Sequence, residues 1–285
     1  MSIRTDLAYE SYGANQTASI PGVTVSESHH SLYGIHRVSI TSKEGAETLG
    51  KPMGNYVTLE LVKHYKYDPK GAETLFQALG DLLVEFIPKE GSCLIAGLGN
   101  ASITADAIGP GALHHLLITR HLKNSLPDSF SHLRCVAALA PGVLGNTGIE
   151  SGDMLRAIVN EIHPDFLICV DALAAADPSR LLTTIQVCDT GLVPGSGIGN
   201  ARASLTPDVL GIPVIAIGVP TVIYADALLI HSENPEHELI VTPKEIDQAV
   251  ADLSKLMGYG LNLALHPELS LSDVIHFLSR WHTQV

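Results

Sequence analysis

Two aspartates that follow apolar, strand-like runs carry the clearest chemistry in this chain. Cys93-Leu94-Ile95-Ala96 runs into the glycine turn Gly97-Leu98-Gly99-Asn100, and Asp106 follows within Thr104-Ala105-Asp106-Ala107-Ile108-Gly109-Pro110. Phe166-Leu167-Ile168-Cys169-Val170 ends directly in Asp171, which Ala172-Leu173-Ala174-Ala175-Ala176 follows. In an open α/β sheet, ligands and catalytic groups collect at the carboxyl ends of parallel strands. Two carboxylates gathered there can share a proton and activate a water. That arrangement reads as a carboxylate-dependent hydrolase. Each acid also has an ordinary explanation, because a lone Asp before a helical run is a common N-cap. Two of them on neighbouring strand ends shift the balance toward function.

The other motifs are weaker. Gly97-Leu98-Gly99-Asn100 follows a strand as a dinucleotide loop would, but Ser102 stands where the third glycine of G-x-G-x-x-G belongs. An acid at Asp106 would also repel phosphates. Asp189-Thr190-Gly191 matches the D-T-G of pepsin-like proteases in three letters only. The glycine-rich run from Gly191 to Asn200 reads as a shaped loop near the site, in which Gly195 and Gly197 could offer N–H groups to a substrate. Ser196 lies in Gly195-Ser196-Gly197, which is not the G-x-S-x-G of a serine-hydrolase elbow. His114 and His115 fall mid-helix in the predicted pattern, and no H-E-x-x-H or comparable ligand spacing is present. Cys93, Cys135, Cys169 and Cys188 form no C-x-x-C pair and read as buried free thiols in a reducing compartment.

The elements that must position the two acids alternate between strand and helix. Helical periodicity runs from Ala72 to Phe86, Gly109 to Leu122, Gly152 to Ile162 and Leu271 to Trp281. Strands are expected at 93–97, 136–139, 166–170 and 214–219, the last opened by Pro213, with a further strand ending at Cys188. Thr242-Pro243-Lys244-Glu245 reads as a helix start, with Thr as N-cap, and predicts a helix to about Gly258. Residues 1–60 follow a different pattern. Segments 19–25, 33–40 and 56–61 alternate apolar and polar residues, as short antiparallel strands at one edge would. The expected fold is α/β, a three-layer core with a mostly parallel sheet and an N-terminal antiparallel extension.

Composition supports this. Of 285 residues, 46% are apolar and few are aromatic, which suits packed parallel strands. A net charge of −13 argues against direct nucleic-acid binding, which needs clustered Lys and Arg. The polar N-terminus lacks a signal-peptide core, and no apolar run reaches the roughly 20 residues of a membrane helix. A soluble, cytoplasmic protein is expected, with no membrane partner.

Several long strings in one order resemble the germination proteases of spore-forming bacteria, endopeptidases that degrade small acid-soluble spore proteins. They are Ser2 to Ala8, Lys51 to Tyr56, Cys93 to Asn100, Thr104 to Pro110, Thr119 to Leu122, Pro141 to Gly145, Thr147 to Glu150, Asp165 to Ala175, Asp189 to Asn200, Gly211 to Val222 and Val241 to Asp247. The resemblance implies an atypical aspartic peptidase with Asp106 and Asp171 as its catalytic acids, and a core similar to the hydrogenase-maturation endopeptidases. Those relatives bind nickel through the corresponding acids. Their histidine ligand has no counterpart here, so no metal or other cofactor is implied. Gly97, Gly99, Asn100, Asp189, Thr190, Gly195, Ser196 and Gly197 would shape the substrate site.

The resemblance further implies a tetramer made in the developing spore as a zymogen. Residues 1–6 would be a propeptide removed by self-cleavage between Asp6 and Leu7. Residues 7–285 would then form one peptidase domain, with a β-rich edge over 7–65. Two departures stand out: a short leader, and only a brief stretch between Thr221-Val222-Ile223 and Val241-Thr242-Pro243, where relatives carry a long insertion. A non-catalytic sporulation protein that binds a partner, and a metal-dependent hydrolase using the same acids, are the competing readings.

Overall fold

In a computed structural model of the chain, the described residues are 4–15, 19–62, 70–193, 204–228 and 239–281. The first half runs α1 (Ala8–Ala14), β1 (Val23–His29), β2 (Tyr33–Ile40), α2 (Lys43–Leu49), β3 (Gly54–Leu61), α3 (Gly71–Val84), β4 (Cys93–Gly97), α4 (Ile108–Leu113), α5 (Arg120–Ser125), α6 (Pro127–Phe130) and β5 (Val136–Leu139). The second half runs α7 (Leu144–Thr147), α8 (Ser151–Ile162), β6 (Phe166–Ala175), β7 (Thr184–Cys188), α9 (Pro207–Leu210), β8 (Val214–Tyr224), β9 (Ile240–Val241), α10 (Ile246–Leu265) and α11 (Leu271–Trp281).

Among the described residues the strands form one sheet, ordered β1-β2-β3-β7-β8-β6-β4-β5, with β9 added to β8. β5, β4, β6 and β8 are mutually parallel and form the core. β4 and the first half of β6 are apolar on both faces and wholly buried, as strands covered by helices on both sides must be. β7 and the β1–β3 meander extend this core in antiparallel fashion. β2 alternates half-buried and buried residues along its whole length, the pattern of a strand with one face toward the core.

Helices cover both faces. Ile95, Ile168, Val170, Ile217 and Val219 pack on one side with Leu79 and Leu82 of α3, Ile108 of α4 and Leu253 and Met257 of α10. On the other side Leu94, Leu167, Cys169 and Val214 meet Leu155 and Val159 of α8. That second face continues over Val38, Tyr56 and Ala216, where Ala8 of α1 and Leu49 of α2 close it. The expected three-layer α/β core with its antiparallel N-terminal extension is the fold observed.

Two predicted helices differ from what forms. The Gly109–Leu122 helix is broken, because the chain leaves α4 at His114 and restarts at Arg120. Asn262 of α10, 1% exposed, fills the break: its Oδ1 accepts Leu117 N–H at 2.9 Å and its Nδ2 donates to the His115 carbonyl at 2.7 Å. His114 and His115 therefore follow the helix and do not sit within it. The helix expected from Pro243 to Gly258 instead runs Ile246–Leu265. Thr242 does not cap it, because its hydroxyl donates to the Thr221 carbonyl at 3.0 Å. Gly258 and Gly260 do not end it either. A Cβ on Gly258 would lie 2.4 Å from His115, and one on Gly260 would lie 2.8 Å from Leu79, so these glycines mark close crossings.

Candidate active site

The site is built where β4 ends. Gly97 closes the strand, and a Cβ there would lie 2.4 Å from the Gly109 carbonyl, so α4 crosses directly over the turn. Leu98 then donates its N–H to the Val170 carbonyl at 2.8 Å, keeping the turn beside β6 one residue before Asp171. Gly99 takes a φ of +106°, and a Cβ on it would be 2.1 Å from the Asp106 carbonyl oxygen. Only glycine suits that backbone at that separation.

The chain folds back through the 3-10 turn Thr104–Asp106. The Asp106 carboxylate accepts the Asn100 N–H at 2.8 Å. Asn100 in turn accepts Ser102 N–H at 3.0 Å and the Asn146 amide of α7 at 3.1 Å. Thr221 of β8, fully buried, donates to the Ala105 carbonyl at 2.6 Å. The 3-10 turn packs beside both β6 and β8.

Asp171 lies within β6, not at its end, because Ala172 to Ala175 continue the strand. It is 7% exposed, and its Oδ1 accepts the Ala172 N–H at 2.9 Å. Neither acid caps a helix: Asp171 is in a strand, and α4 starts after Ala107 with no side-chain cap. Burial, with a smaller push from Asp171, holds the Cys169 thiol well above its usual value. The Cys93 and Cys188 thiols are raised by burial too.

Asp171 begins a register row that crosses six strands. It pairs with Gly218, Gly218 with Gln186, Gln186 with Thr58, Thr58 with His36 and His36 with Glu27. Directly paired residues present their side chains to the same face. Gln186, Thr58 and His36 are nonetheless 6%, 1% and 5% exposed. Buried polar groups need partners, and α1 supplies some. The Tyr9 ring lies 4.3 Å from the His36 ring, and its hydroxyl donates to Glu27 at 2.5 Å. Burial first, then Glu27, pushes the Tyr9 hydroxyl up to about 12. His36 also meets Glu60 at 2.8 Å.

The N-terminal segment lies along this row. Asp6 donates its N–H to the Ala174 carbonyl at 2.9 Å, and its carboxylate accepts the Ala174 N–H at 2.8 Å. Leu7 is fully buried. Lys51 donates to the Thr5 carbonyl at 2.8 Å, and burial lowers the Lys51 pKa against the opposing pull of Asp6.

Asp189 and Thr190 are not brought to this end of the sheet. β7 runs antiparallel to β8, so its carboxyl end lies toward the amino ends of the parallel strands. Asp189 there accepts both the N–H and the side-chain amide of Asn55 at 2.8 Å, locking β7 to β3. Gly195, Ser196 and Gly197 fall outside the described residues. Gln186 belongs to no motif that the sequence brings forward, and Thr221 lies in the Gly211 to Val222 string without being singled out as a site residue. The signal for Gln186 was a polar residue between Ile185 and Val187 in a strand otherwise fit for burial. Among the described residues, no three or more His, Cys, Asp or Glu side chains converge as a ligand set, and no helix is long and apolar enough to cross a membrane.

A family model described as germination protease matches residues 4–236. The germination protease of Clostridium perfringens (strain ATCC 13124) is 38% identical over 323 aligned positions, covering 98% of this chain and 99% of the relative. That alignment is longer than this chain, so the relative carries residues this chain lacks. The germination protease of Bacillus subtilis (strain 168) is 36% identical, covering 94% of each. Among solved structures, the [NiFe] hydrogenase maturation protease HycI of Thermococcus kodakarensis is similar at 18% identity with a TM-score of 0.37, over 63% of this chain and 98% of that one. On the family match and the near full-length identity to these relatives, the chain belongs to the germination protease family.

Proposed function

We propose that this member of the family is an endopeptidase that cuts small acid-soluble spore proteins at germination, with Asp106 and Asp171 as a water-activating pair. One acid, ionised, takes a proton from water. The other, protonated, donates a hydrogen bond to the scissile carbonyl. Like charges a few ångströms apart do not both ionise cheaply, so the pair shares one proton. The observation that carries this reading is the Leu98–Val170 bond, which joins the Asp106 turn to β6 one residue before Asp171. An extended, poorly folded substrate suits such a site, because its backbone is free to enter a cleft.

The same reading makes residues 1–6 a propeptide removed by self-cleavage at Asp6–Leu7, in a tetramer held in the spore core. Incubation of the purified chain with an acid-soluble spore protein, followed by mass spectrometry, tests it. Discrete internal fragments are expected. An intact substrate, with no shortening of the enzyme itself, would contradict it.

A further inference from the structure

We propose that Gln186 is the group that holds and polarises the carbonyl of the Asp6–Leu7 bond during self-cleavage; this rests on the processing reading above. Its side chain grips the backbone on both sides of Leu7. Nε2 donates to the Asp6 carbonyl at 3.1 Å, and Oε1 accepts the Ala8 N–H at 2.7 Å. The Asp6 oxygen is the carbonyl oxygen of the bond to be cut.

Gln186 shares the register row of Asp171, with only Gly218 between them. Neighbouring strands lie about 4.8 Å apart, which puts the two α-carbons on the order of 10 Å from each other across β8. Gly218 itself has no side chain, and the Leu173 side chain, 2.5 Å from where a Cβ would sit, covers that position on the same face. Asp6 meanwhile bonds Ala174, three residues beyond Asp171 in the same strand. The peptide is thus held from β7 on one side and β6 on the other, and β6 is the strand that carries the acid.

In hydrolysis, a water oxygen bonds to the Asp6 carbonyl carbon and the C–N bond to Leu7 breaks. One proton of the water ends on the Leu7 nitrogen, leaving an Asp6 carboxyl group and a Leu7 amine. While the carbon is tetrahedral, negative charge sits on the former carbonyl oxygen. An N–H already aimed at that oxygen in a water-poor site stabilises it. Gln186 is 6% exposed and supplies such a donor.

The test uses the full chain and follows release of residues 1–6 by mass spectrometry. Gln186→Glu, assayed at a pH high enough to ionise it, keeps an acceptor for Ala8 N–H and removes the donor. Gln186→Met removes both at similar volume and without a buried charge. Thermal unfolding confirms that each variant folds, and hydrogen exchange at Ala8 reports whether the segment stays docked. Removing one oxyanion donor slows catalysis by about 100-fold or more. That slowing is expected in both variants, with Ala8 still protected in Gln186→Glu. Self-cleavage within about threefold of the unmodified rate in both variants, while Asp171→Asn abolishes it, overturns the role of Gln186 and leaves the processing reading intact. An unmodified chain that never cuts at Asp6–Leu7 overturns both.

Discussion

Leu98 donates its backbone N–H to the Val170 carbonyl at 2.8 Å, and this bond fixes where the two acid-bearing segments lie. Past it, the β4 turn folds back to Asp106 and β6 continues into Asp171. The arrangement depends on a backbone that side chains would block, which makes it sensitive to single methyl groups.

Gly99→Ala should be far more damaging than its size suggests. The new Cβ would fall 2.1 Å from the Asp106 carbonyl oxygen and 2.8 Å from its Oδ1, on a backbone at φ +106°. The turn must open, and Asp106 moves with it. Misplacement of a reacting group by about 1 Å costs on the order of 100-fold in rate. Cleavage of a peptide substrate should fall by about that factor. Gly145→Ala, where a Cβ would meet nothing within 4 Å, should leave the rate unchanged. Equal behaviour of the two variants in a cleavage assay would contradict the close packing of Gly99 on Asp106.

Asn262→Leu should destabilise the fold. It leaves the Leu117 N–H and the His115 carbonyl buried without partners, and each such group costs about 1–3 kcal/mol. A loss of roughly 2–6 kcal/mol in denaturant unfolding is expected. A loss below about 1 kcal/mol would mean that the break between α4 and α5 does not depend on Asn262.

Much of this was legible in the sequence, and the failures have physical causes. β4 and β6 announced themselves as continuous apolar runs, because strands buried on both faces tolerate little else. The β2 alternation was equally plain. The α4–α5 break was invisible because its cause, Asn262, lies far along the chain. Helical periodicity continued through a segment that a distant side chain pulls apart. Gly258 read as a helix end because local propensity says nothing of a crossing helix. Asp171 read as the end of its strand because Ala-Leu-Ala-Ala suits a helix equally well, and only pairing with β8 makes it a strand. The two acids stand out in the sequence because a carboxylate beside an apolar strand is conspicuous. Gln186 was passed over because its contacts to Asp6 and Ala8 depend on the N-terminal segment folding back over β7.

Acid should weaken the fold partly through His266. Burial first, then the positive charges of Arg134, His132 and Lys123, lowers its pKa from 6.5 to about 4. Its Nδ1 accepts the Arg134 N–H at 3.3 Å, which requires that nitrogen to be unprotonated. The folded-state value is depressed, so the unfolded chain takes up the proton first as pH falls. The contribution is fully present above pH 6.5 and is lost progressively toward pH 4. A difference of that size corresponds to roughly 3 kcal/mol. Comparing urea unfolding of the parent and His266→Gln at pH 7 and pH 4.5 tests it: the parent should lose more stability on acidification. Equal losses would show that His266 titrates normally in the folded state.

The most direct test of the account is the rate of peptide cleavage by Asp106→Asn and Asp171→Asn, each checked for an unchanged fold by circular dichroism. General acid–base catalysis by a positioned side chain contributes about 10²–10⁴-fold. Each variant should lose activity by about 10³-fold, and the double variant should lose little more, because the two groups act as one unit. Cleavage that persists near the parent rate in both single variants would contradict the proposed pair.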